Sequence, residues 1–154
     1  MNDTYRLLSG ALRVFEHFPE AGCEHFFIEH DIENPNFELL HNQYSILEIA
    51  GDGSDFSKAI NLMRWVHENV RHCGGGREVD ISKDAVSILN YTFGKGKMPG
   101  IFCYHIAIVY TECCLAAGLT ARTIQCKPFS PYDLDMHVVS MVYINEIPVS
   151  AVGV

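Results

Sequence analysis

The sequence has no run of lysine or arginine, no Cys-x-x-Cys pair, a single tryptophan and no unbroken apolar stretch near its start. Each absence closes a class of function. Without a basic stripe, and with a formal net charge of −8, the chain has no electrostatic footprint for a nucleic-acid backbone. Without Cys-x-x-Cys, neither a zinc ribbon nor a thioredoxin-type redox motif is supported. In "MNDTYRLLSGALRVFEHFPEAG", Arg6 and Arg13 interrupt the apolar residues, so neither a signal-peptide core nor a membrane span is expected. That reading places the protein in the cytoplasm, away from membranes, where thiols stay reduced. The six cysteines are irregularly spaced, two of them adjacent, and are expected to be free.

What is present is an ordinary globular composition, 48% hydrophobic and 19% charged over 154 residues. This length suits one domain with its own core, and no repeat, low-complexity tract or long linker divides it. A first helix is expected with Leu7, Leu8, Ala11, Leu12, Phe15 and Phe18 on one face, ended by Pro19 and Gly22. Residues 23 to 42 show a mixed pattern without a clear element. "YSILEIAGDGS" reads as a short helical turn entering a glycine-rich loop. Ser54 or Asp55 then caps a helix with a stripe of Ala59, Ile60, Met63, Val66 and Val70. Ser82 is the expected cap of the next helix, which buries Ala85, Ile88, Leu89 and Phe93 and stops at Gly94.

The stretch "GIFCYHIAIVYTECCLAAG", residues 100 to 118, is apolar almost all round and predicts a helix in the middle of the domain, with Gly118 just past its end. Two strand-like segments, "LTARTIQCKPF" and "HVVSMVYINE", follow it across the turn "SPYDLD". Helices first, then a buried helix, then strands: the order predicts an α+β fold with an antiparallel sheet packed on that helix.

Cys103 stands where the buried helix begins. A helix N-terminus favours the thiolate, which is the nucleophilic form, and its unpaired N–H groups can hold an oxyanion. Such a nucleophile needs an imidazole from another element. His137, at the start of the second strand, is placed to supply one. Cys113 and Cys114, in the helix body, and Cys126, in the first strand, read as buried thiols. His105 falls two residues after Cys103, about 200° around the helix, and reads as a packed histidine. Tyr104 borders the site and is a candidate substrate contact. A zinc site built on Cys103, His105 and His137, or near His67, His72 and Cys73, lacks ligand spacing and an accompanying carboxylate. "CGGGRE" lacks the lysine-serine/threonine ending of a phosphate loop. No metal or cofactor is therefore expected.

The order "GIFCYHIAIVYTECCLAAGLTARTIQC" followed by "DMHVVSMVYINE" resembles the transglutaminase-like (papain-like cysteine) superfamily. Its members start a buried helix with a nucleophilic cysteine and end it in an "AxGLxAR"-like turn, matched by Ala116 to Arg122. A catalytic histidine opens a later strand, matched by His137, Val138 and Val139. Upstream, "AINLMRWVHENVRHCGGG" is similar to the helix preceding the family's active site. The likeness spans about residues 55 to 145 of a single domain, 1–154, with 1–54 as an N-terminal extension.

The resemblance implies attack of a Cys103 thiolate on a carboxamide or peptide carbonyl, with His137 as general base and acid. The acyl-enzyme so formed passes to water or an amine. It also implies a peptide or protein substrate. The family's orienting aspartate would fall near Gly153, but no aspartate follows His137, and Asn145 and Glu146 come too early for that role. The fold therefore reads as truncated at its C-terminus, leaving a sheet edge for a second copy or a partner. The alternative is a catalytically inactive protein-binding module of the same family.

Overall fold

The computed structural model describes residues 34–73, 79–94, 100–127 and 136–144. The expected N-terminal helix over Leu7 to Phe18 lies outside them, as do Asn145 and Glu146 and most of the turn between the strands. The described residues form an α+β arrangement: five α-helices followed by one antiparallel pair of strands. The helices are α1 (Pro35–Tyr44), α2 (Ile46–Ala50), α3 (Asp55–Asn69), α4 (Ala85–Gly94) and α5 (Cys103–Ala116); the strands are β1 (Thr120–Cys126) and β2 (His137–Tyr143).

Local chemistry accounts for the boundaries. Helix α1 occupies part of the stretch whose pattern assigned no element, and its signals are short ones. Asn34 accepts a hydrogen bond from the Asn36 N–H at 3.0 Å, and Pro35 takes the first helical position. Ser54 caps α3 as expected, accepting from the Ser57 N–H. Its buried line differs from the expected stripe: Leu62 is wholly buried, between Ala59 and Val66, while Ile60 and Met63 flank it half-buried. The Tyr110 hydroxyl donates to the Ala59 carbonyl at 3.1 Å, so α3 is seated on α5 along the Ala59 side.

Two expectations for α4 are corrected. Its cap is Asp84, not Ser82: the Asp84 carboxylate accepts from the Ser87 N–H at 2.8 Å, which places the helix start two residues later. Phe93 is 47% exposed rather than buried. Val86 and Thr92 share the inner face with Ala85, Ile88 and Leu89, and Phe93 lies against the Tyr44 and Trp65 rings at 5.6 and 6.4 Å.

Helix α5 is the axis of the molecule. Nearly every residue from His105 to Ala116 is buried, as a sequence apolar on all sides requires. It packs against α1, α3, α4 and both strands. Its far end closes in a Schellman motif: Leu119 N–H to Cys114 carbonyl at 2.9 Å and Gly118 N–H to Leu115 carbonyl at 3.0 Å, with Gly118 at φ +80°. His41 of α1 donates Nε2–H to the remaining Ala116 carbonyl at 2.8 Å.

The strands pair in register from Thr120 opposite Tyr143 to Cys126 opposite His137. Ala121, Ser140 and Val142 are buried toward α5. Ser140 donates its hydroxyl to the Ala107 carbonyl and accepts from Thr111, both at 3.0 Å, which fixes β2 along the helix. No helix among the described residues is long and apolar enough to cross a membrane.

Candidate active site

The first turn of α5 is placed from outside the helix. Residues 71 to 73 pair in parallel with Ile101: its N–H donates to the Arg71 carbonyl and its carbonyl accepts from the Cys73 N–H, both at 2.9 Å. Gly100 sits in this contact because a Cβ there would lie 2.3 Å from the Cys73 Cβ. The chain therefore enters α5 along a fixed line, with Phe102 extended and Cys103 as the first helical residue. No side chain caps this end. The first N–H bonded back is that of His105, to the Phe102 carbonyl at 3.0 Å. The N–H groups of Cys103 and Tyr104 precede it, at the positive end of the helix dipole.

Cys103 is half-buried and opens onto a cleft of about 740 Å³. Three segments line it: Val79, Asp80, Ile81 and Lys83 before α4; Phe102 to His105 at the start of α5; and Gln125, Met136 and Val138 at the sheet end. Tyr104 belongs to the cleft wall. Its ring carries the Lys83 ammonium 5.5 Å from its centroid. His105 is a packed histidine, 4% exposed, between the Phe102 and Tyr104 rings at 6.3 and 5.1 Å. Gln125 donates its amide N–H to the Met136 sulfur at 3.1 Å across the sheet end.

His137 is exposed at the start of β2, directly opposite Cys126. Its neighbours Met136 and Val138 line the cleft, whereas His137 does not. Among the described residues no hydrogen bond joins Cys103 to His137. Strand alternation puts His137 on the sheet face opposite Val138, Ser140 and Val142.

The other thiols divide differently from expectation in one case. Burial pushes Cys113 well above the ordinary thiol range, with Cys114 and Glu112 adding to the shift. Burial likewise pushes Cys114 up to about 12, offset in part by its hydrogen bond with Tyr110. Both stay protonated and inert, as core thiols should. Cys126 is instead exposed, because it shares strand parity with exposed Thr120 and Arg122, opposite to that of buried Ala121. All five cysteines among the described residues are free. No group of three or more His, Cys, Asp or Glu among these residues is arranged to hold a metal ion, so Cys103, His105 and His137 do not form a ligand set.

Lys83, Asp80, Gln125 and Met136 were not singled out from the sequence. Lys83 and Asp80 belong to an irregular segment with no periodicity to read. Gln125 shares strand parity with buried Ala121, the one signal that would have turned it toward the helix side. No family model, curated protein or solved structure matches this chain.

Proposed function

We propose that the chain is a transglutaminase-like cysteine enzyme that binds a carboxamide or peptide carbonyl in the cleft and attacks it with Cys103. One observation carries the reading: Cys103 is a half-buried thiol at the uncapped first turn of a buried helix, opening onto a cleft. The sulfur adds to the carbonyl carbon, and the Cys103 and Tyr104 N–H groups receive the developing oxyanion. The C–N bond breaks, the amine leaves with a proton, and a thioester remains on Cys103. Water or a second amine then releases the acyl group. His137 is the proposed proton carrier; it opens β2 outside the cleft lining, between the lining residues Met136 and Val138.

Hydroxylamine capture tests this directly. The full chain incubated with N-acetyl-Gln-Gly-amide and hydroxylamine is expected to yield the hydroxamate, and Cys103→Ala to abolish it. His137→Ala is expected to lower the rate by about 10²-fold or more. Hydroxamate formed equally by the Cys103→Ala protein overturns the reading.

A second reading rests on the position of His137 outside the cleft lining. In it the domain is an inactive relative that holds a peptide segment in the same cleft without turnover. It predicts peptide binding that survives Cys103→Ala and no hydroxamate from any variant.

A further inference from the structure

Lys83 is the one cation lining the cleft among the described residues, in a chain with a net charge of −8. Its ammonium rests over the ring of Tyr104, the residue that follows the proposed nucleophile. Among the described residues no carboxylate is in ion-pair contact with it, Asp80 included, although Asp80 lines the same cleft. An aromatic face holds a cation in place without neutralising it, so the charge remains available to a ligand. The first turn of α5 presents partial positive charge to the same space. Asp80 opposes this field but forms no ion pair with Lys83, whose ammonium is held at the ring of the residue after Cys103.

We propose that Lys83 is a specificity residue, which makes the cleft prefer a substrate bearing a carboxylate, such as an Asp or Glu side chain, beside the carbonyl that Cys103 meets. This rests on the acyl-transfer reading only for which atom reacts. The charge preference itself is a property of the cleft.

Two small reagents of nearly equal size separate the two claims. Iodoacetamide is neutral and iodoacetate is an anion, and peptide mapping reads alkylation at each cysteine of the intact chain. The iodoacetate-to-iodoacetamide rate ratio at Cys103 is expected to fall about fivefold in Lys83→Gln, the size of one partly screened charge contact. Lys83→Glu should lower it further, and raised salt should shrink the difference. The ratio at exposed Cys126, which is not a cleft residue, should stay constant, and buried Cys113 and Cys114 that stay unalkylated report intact folding. An unchanged Cys103 ratio across the three proteins overturns the proposal, even where iodoacetamide shows Cys103 to be reactive. Should Cys103 resist both reagents, calorimetry decides. Cys103→Ala protein should bind N-acetyl-Glu-Gln-Gly-amide more tightly than its lysine counterpart, and equal affinity overturns the preference.

Discussion

Ser140 occupies a position where strand alternation alone would place an aliphatic residue, 2% exposed against α5. Its hydroxyl is both donor and acceptor there, so neither the Thr111 hydroxyl nor the Ser140 oxygen is left unsatisfied. Ser140→Ala removes one partner and strands the other. The expected loss is about 1–3 kcal/mol in urea denaturation, and Ser140→Ala with Thr111→Val should recover part of it. At this same scale the site was partly legible. Cys103 was readable because a polarisable side chain at the start of an apolar helix breaks a visible pattern. Cys126 was misread as buried because "TARTIQC" does not say which face of the strand a helix covers. Lys83 could not be read at all, since its role depends on a ring twenty-one positions away along the chain, across a helix.

Helices α4 and α5 are tied by a carboxylate. Glu112 of α5 accepts the first N–H of α4, from Ala85, at 2.8 Å, beside the Asp84 cap. Burial raises the Glu112 pKa; the Ala85 N–H partly offsets this, and the neighbouring Asp84 charge adds to the rise. An acid raised in the folded state binds its proton more tightly there than in the unfolded chain. Its contribution to stability is therefore full below the ordinary glutamate value of about 4.3 and is lost as pH climbs through the raised one. Glu112→Gln keeps an acceptor for Ala85 but cannot ionise. Relative to wild type, this variant should gain stability as pH rises from acid to neutral; a pH-independent difference in chemical denaturation would refute that. A second link joins the exit of α3 to the entry of α5. Gly100→Ala forces a Cβ into Cys73, with an expected cost of about 1–3 kcal/mol, largely recovered in Gly100→Ala with Cys73→Gly. Boundaries of this kind were readable where a cap or a glycine marks them, as at Ser54, Gly94 and Gly118. Helix α1 escaped because Pro35 and Asn34, which start it, also read as a turn. The buried line of α3 shifted to Leu62 because a pattern fixes which residues are apolar, while the partner helix fixes which of them face inward.

The molecule as described has one core, and it runs from Phe37 in α1 through α3, α4 and α5 to Val142 and Ile144 at the sheet. Nothing in it can loosen without exposing part of α5. The single tryptophan, Trp65, packs against that core from α3. Its fluorescence and the far-ultraviolet circular dichroism should therefore report coincident urea transitions, whereas separated midpoints would show that the surroundings of α3 unfold apart from the other helices. The contact between Cys73 and Gly100 carries a further consequence for chemical labelling. Cys73 is half-buried and free, and any group attached to its sulfur must share space with the backbone that leads into Cys103. A thiol reagent that reaches Cys73 can thus displace the helix start while Cys103 itself stays unmodified. Loss of the proposed activity on alkylation would then have two chemical causes, and Cys73→Ser is the background on which a Cys103 titration counts only one.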